Sequence, residues 1–139
     1  MEMTSIPIQQ LNPAFTRPHP SNITVYDVEA IQSLVPYKAH EHRMVEFLPR
    51  SIAANHKHYH QETMCASGGE LTLYYLDDGG VRQKLIINPE EGTKLLVTIP
   101  SMLPHVLINH SNHPAMLMYW TDIKPVEAIK MDVFDIHTI

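Results

Sequence analysis

Cysteine is almost absent. Cys65 is the only one in 139 residues, so no disulfide can form within the chain. No basic group flanks it, and it is expected to be a small buried hydrophobe, not a reactive thiol. Long apolar runs are missing too: nothing approaches about eighteen consecutive apolar residues, so a membrane span is not expected. Met1-Glu2-Met3-Thr4-Ser5 has no basic region followed by an apolar one, so no signal peptide is expected. Basic residues are outnumbered, 10 Lys and Arg against 15 Asp and Glu, for a formal net charge of -5. A nucleic-acid partner would favour a basic face and is not expected. Glycine-rich phosphate loops, nucleophile elbows and paired cysteines are absent as well. Together these absences point to a cytoplasmic protein that engages neither membrane nor nucleic acid.

What is present reads as one globular domain. The hydrophobic fraction is 44% and the charged fraction 18%, and 139 residues suffice for a useful core. Residues 1–22 carry Pro7, Pro13, Pro18 and Pro20, which predicts an extended N-terminal arm. Residues 23–139 are predicted to form the barrel domain. Strands are expected at Ile23 to Tyr26, Arg43 to Leu48, Ser51 to His60, Thr63 to Ala66 and Glu70 to Leu76. Asp77-Asp78-Gly79-Gly80 is a hairpin signal, and the chain returns from Val81 to Asn88. Pro89-Glu90-Glu91-Gly92 is a further turn. Lys94 to Ile99, His105 to Asn109 and Ala115 to Trp120 complete the set. Val28 to Leu34 is a helical turn or a loop, and Val126 to Met131 a short helix. Short strands with regular turn signals predict an all-β antiparallel sandwich or barrel. Met116, Met118 and Trp120 should line one face as a core or pocket wall.

The chemistry concentrates in His56-Lys57-His58-Tyr59-His60-Gln61-Glu62. In a strand, alternate side chains share a face, so His56, His58 and His60 are expected to point together. Glu62 joins them if the strand continues or turns. Imidazole with carboxylate suits a divalent first-row transition metal: Fe, Mn, Ni, Zn or Cu. A second set, His40-x-His42-x3-Glu46, has the same ligand spacing and stays open as an alternative.

His56-x-His58-x3-Glu62-x6-Gly69 resembles the first motif of the cupin superfamily, and Pro100-x-Met102-x2-His105-x3-Asn109 resembles the second. The resemblance implies a single antiparallel jelly-roll barrel, with one metal held by His56, His58, Glu62 and His105. Asn109 matches the asparagine that follows the last ligand. His60 falls outside the pattern and is expected as a pocket group. Three glycines of the pattern are replaced: Arg50 stands six residues before His56, Lys94 six before Pro100, and Met102 two after it. All three are turn or bulge positions, so they bear on backbone shape and not on the ligands.

Cupins vary in chemistry, so the resemblance leaves several functions open. The first is an isomerase or epimerase acting next to a carbonyl of a sugar or sugar derivative, with His60 or Tyr119 moving protons. The chain is similar in layout to small sugar-modifying cupins, including those acting on nucleotide-linked keto-sugars. The second is an Fe(II)-dependent oxygenase of a small organic substrate. The third is a non-catalytic binding module for a sugar or small ligand. Lys or Arg around the pocket favours the first, a dry aliphatic pocket the second, a blocked pocket the third. A homodimer paired through the sheets is also implied.

Overall fold

Turn chemistry and β-branched runs divide the chain into short strands, and one side chain starts its helix. The computed structural model describes residues 6–17, 23–89, 93–125 and 129–130. In chain order the elements are β1 (Ile8–Gln10), β2 (Phe15–Arg17), β3 (Ile23–Val25), α1 (Val28–Ser33), β4 (Glu41–Phe47), β5 (Ile52–Lys57), β6 (Glu62–Gly68), β7 (Leu71–Leu76), β8 (Arg82–Ile86), β9 (Leu95–Ile99), β10 (His105–Asn109), β11 (Ala115–Thr121) and β12 (Ile129–Lys130). They form two five-stranded antiparallel sheets, ordered β1-β9-β6-β11-β4 and β12-β5-β10-β7-β8, with β2 and β3 as a separate pair. This is the all-β antiparallel architecture that the strand pattern predicts, in the jelly-roll form that the resemblance implies.

The inner faces are layered. Across one sheet, Val45, Leu117 and Ala66 lie in register, then Arg43, Tyr119, Met64 and Val97, then Glu41, Thr121, Glu62 and Ile99. Across the other, Ala53, Leu107, Leu73 and Leu85 form the apolar row, and His56, His105, Tyr75 and Gln83 the row above it. Apolar side chains therefore fill one end of the barrel as its main core. Polar ones gather at the other end. An open site above a close-packed floor follows from this order.

Outside the first sheet a second apolar cluster forms. Leu11, Ile31, Val35, Cys65, Leu96 and Trp120 bury there, with Met118 packed against them. Met118 and Trp120 thus belong to this outer cluster, and Met116 lines an apolar cavity beside it with Leu11, Ile31 and Cys65. Asp27 caps α1 by accepting from the backbone N–H groups of Glu29 at 3.0 Å and Ala30 at 3.4 Å. Cys65 is buried, and burial pushes its thiol up to about 11.

The N-terminal arm packs on the barrel in part as strand: β1 pairs with β9, and Ile6 and Leu11 bury in the two clusters. Pro7 has no N–H to donate, yet its carbonyl oxygen still accepts from the Thr98 N–H at 3.0 Å. The strand predicted to reach His60 ends at Lys57, and Tyr59-His60 is a bend. Finally, Ile129–Lys130 is a strand on β5 where a helix was expected; Val126 to Ala128 and Met131 lie outside the described residues. The turn residues Glu90, Glu91 and Gly92 lie outside them too.

Candidate metal centre

Simple alternation cannot place His56 in the barrel. Ala53 faces inward and packs on the core, so an unbroken strand would turn residue 55 inward next. A β-bulge corrects this. Val106 pairs with Ala54, while the next residue back on β10, His105, pairs with His56. The extra residue, Asn55, has no partner on β10, and the face flips by one. His56 then stands opposite His105.

The bend after Lys57 brings in the rest. His58 Nδ1 lies 2.9 Å from the carbonyl oxygen of His60. A carbonyl only accepts, so Nδ1 carries the proton and Nε2 is left with its lone pair. That Nε2 is buried and has no hydrogen-bond partner. His105 is set in the same way: Nδ1 donates to Leu103 O at 2.8 Å. The ring pairs His56–His58, His56–His105 and His58–His105 have centroids 5.1, 5.0 and 4.8 Å apart. Their candidate ligating atoms all lie within 4.8 Å of one another.

A second triad shares His58. His60 stacks on it with centroids 3.7 Å apart and planes inclined by 10°. Glu62 Oε2 lies 3.4 Å from His60 Nε2 and 3.8 Å from His58 Nε2. His58, His60 and Glu62 meet the same 4.8 Å criterion. His56, His58, His60 and Glu62 line a cavity of about 380 Å³, whose wall also includes Glu41, Arg43, Tyr119 and Lys124, while His105 is buried. His60 is buried, not a partly exposed strand residue.

Electrostatics match this packing. Burial pushes the imidazoles of His56, His58 and His105 towards the neutral form, His105 down to about 4. Burial alone would raise the Glu62 carboxyl. The His60 hydrogen bond and the neighbouring imidazoles His58 and His105 outweigh it, holding Glu62 below its usual value. Burial, then the Glu62 charge, raises the Tyr119 hydroxyl. Neutral imidazoles with free nitrogens beside an ionised carboxylate are the protonation states that a divalent metal needs. The buried Nε2 of His58, unpartnered in the protein, is the group such an ion would satisfy.

The alternative set does not assemble. His40, His42 and Glu46 are exposed, and His42 stacks on Trp120 at 4.4 Å. Among the described residues, the two clusters around His58 are the candidate metal groups. Sequence motifs single out neither Glu41 nor Lys124, which line the cavity. They reach it through strand register and the segment after β11.

No protein-family model matches the chain, and no curated protein matches it. Solved structures do. A dTDP sugar isomerase from Desulfovibrio desulfuricans G20 aligns with TM-score 0.67 at 17% identity, over 90% of this chain and 85% of that one. A 3,4-ketoisomerase from Helicobacter canadensis aligns with TM-score 0.67 at 14% identity, over 88% and 86%. The fold is that of the cupins. Larger proteins share this cupin fold over part of their length. This chain spans 28% of the capsular polysaccharide assembling protein CapF from Staphylococcus aureus, at TM-score 0.59, 13% identity and 70% of its own residues. It spans 44% of an oxalate oxidase solved with glycolate, at TM-score 0.54, 19% identity and 64% of its own residues. At these identities the cupin likeness establishes architecture alone.

Proposed function

We propose that this chain is a metal-dependent isomerase or epimerase acting next to the carbonyl of a sugar or sugar derivative. The observation that carries the reading is a pair of clusters that share His58, one with His56 and His105 and the other with His60 and Glu62, beside a cavity lined by His56, His58, His60 and Glu62. A cavity walled by Lys124 and by Arg43, which pairs with Glu41 at 3.2 Å, favours a hydroxyl-rich substrate over the dry aliphatic one an oxygenase was expected to show. Among the solved structures matched over most of both lengths are a dTDP sugar isomerase and a 3,4-ketoisomerase, which supports the same direction.

His56, His58, Glu62 and His105 would hold one divalent transition metal, which supplies Lewis-acid polarisation of a carbonyl oxygen when bound. The chain's own groups do the rest. His60 is buried with Nδ1 unpartnered and Nε2 on Glu62, so it can accept and return a proton at Nδ1. Tyr119 stays protonated at neutral pH and can donate a hydrogen bond to a substrate oxygen. Lys124 can attract an anionic end of the substrate, and Arg43 is held at the wall by Glu41 at 3.2 Å. A homodimer belongs to the same proposal: among the described residues β4 is an unpaired sheet edge, and Met44 on it is 67% exposed.

The test begins with protein purified without chelator and with oxygen excluded. Elemental analysis is expected to find about one divalent metal per chain. Proton NMR in deuterium oxide is expected to show exchange next to the carbonyl of nucleotide-linked or free keto-sugars. Replacing both His56 and His58 by alanine should abolish metal and exchange together. Metal retained at full stoichiometry in that variant would sink the site. Oxygen uptake without proton exchange would replace the isomerase reading with an oxygenase.

A further inference from the structure

We propose that Asp122 is a positioning residue that sets the tautomer of His58. The bend from His58 to Gln61 lies between β5 and β6, where no strand partner holds the backbone. Asp122 supplies the missing hold. Its Oδ1 accepts the Gln61 backbone N–H at 2.7 Å, and its Oδ2 accepts from Gln61 Nε2 at 3.2 Å. Both carboxylate oxygens are thus spent on one residue of the bend, and bonds to an ionised acceptor are the stronger kind. Asp122 directly follows Thr121, the last residue of β11, which pairs with Glu62 at the start of β6. The clamp therefore ties the bend to the strand pair that presents Glu62. At its other end the bend is held by Met102, whose N–H donates to His58 O at 2.7 Å.

The consequence is chemical. With the bend held, the His60 carbonyl oxygen sits 2.9 Å from His58 Nδ1 and keeps the proton there. His58 Nε2 then faces the cluster as an acceptor, and the His60 ring stacks on His58 with Nε2 on Glu62. Released from Asp122, the carbonyl no longer selects one tautomer. Asp122 acts only through the bend. This inference deepens the metal-centre reading, but its main test needs no metal.

The test is nitrogen-15 NMR of the histidine rings in the metal-free protein, followed by titration with Co²⁺ alone. Wild type is expected to show His58 protonated at Nδ1. Asp122→Ala should give a mixed or averaged His58 signal and at least a tenfold loss of Co²⁺ affinity, in the range known for residues that orient metal ligands. Asp122→Asn keeps an acceptor for the Gln61 N–H and should restore the single tautomer. His105 is the internal control, because its Nδ1–H rests on Leu103, outside the bend, and should not change. If the alanine variant fails to fold, Asp122→Ser is read by the same signals. A lower Tm with the His58 tautomer and Co²⁺ affinity intact would reduce Asp122 to a structural role and overturn the proposal. Wild type that shows the tautomer but binds no Co²⁺ would fail the metal reading while leaving this one standing.

Discussion

Arg50 and Met102 both have φ at 66°, in the left-handed region that glycine tolerates and other residues resist. They occupy two of the three positions where the cupin pattern has glycine. At both positions this chain adopts the left-handed shape with a Cβ-bearing residue. This gives a test with an inverted sign. At an ordinary site glycine is less stable than alanine; here the left-handed conformation costs a Cβ-bearing residue about 1–2 kcal/mol. Arg50→Gly should therefore be more stable than Arg50→Ala by about 0.5–1 kcal/mol after glycine's entropy loss, read from urea midpoints. Comparing the two variants cancels the lost Arg50–Asn112 hydrogen bond of 2.9 Å. Alanine at or above glycine in stability would mean that position 50 carries no strain. The candidate ligands were legible in the sequence because their spacing is local within each motif. Glu41 and Lys124 were not, because they meet the site through pairing between distant strands.

Among the elements, β7, β9, β10 and β11 emerge within a residue of their predicted bounds, because turn residues bracket each run and apolar side chains fill it. Reading β5 went less well. Its bulge changes which side chains face inward, and sequence alternation carries no sign of an unpaired residue. Gly69 shows how such elements are locked together. Its N–H donates to Pro114 O at 2.8 Å, so the turn between β6 and β7 packs directly on the loop between β10 and β11. A Cβ there would collide with His113 O and Ser111 Oγ. That same loop is organised by Asn109, which is fully buried and donates to His113 O at 2.9 Å while accepting from Ser111 Oγ at 2.6 Å. Gly69→Ala should thus cost about 1–3 kcal/mol of stability, as overpacking does. Denaturant titration reads it, and a variant within about 0.5 kcal/mol of wild type would show that the loop gives way freely.

For the molecule as a whole, the layered interior couples stability to pH. One end is apolar, and the other holds imidazoles whose burial favours their neutral forms. His105 is 1% exposed, with its folded-state value lowered to about 4 from an ordinary 6.5. The unfolded chain therefore binds more protons than the folded one between these values, and stability falls as pH falls through that window. The shift at His105 corresponds to about 3 kcal/mol lost by its acid end. His56 and His58 are lowered too and act in the same direction. Glu62, held below its ordinary value, adds a further loss as acid protonates it. In chelator-treated protein the Tm should decline steadily from pH 7 to pH 4.5. His105→Gln removes one titrating ring and should flatten the decline, whatever it does to stability at pH 7. Metal competes with protons for the same nitrogens, so added Zn²⁺ should raise the Tm at pH 7 and move the decline to lower pH. A Tm that holds level to pH 4.5 without metal would mean that the imidazoles are hydrated in solution, and that the polar end of the barrel is more open than its packing indicates.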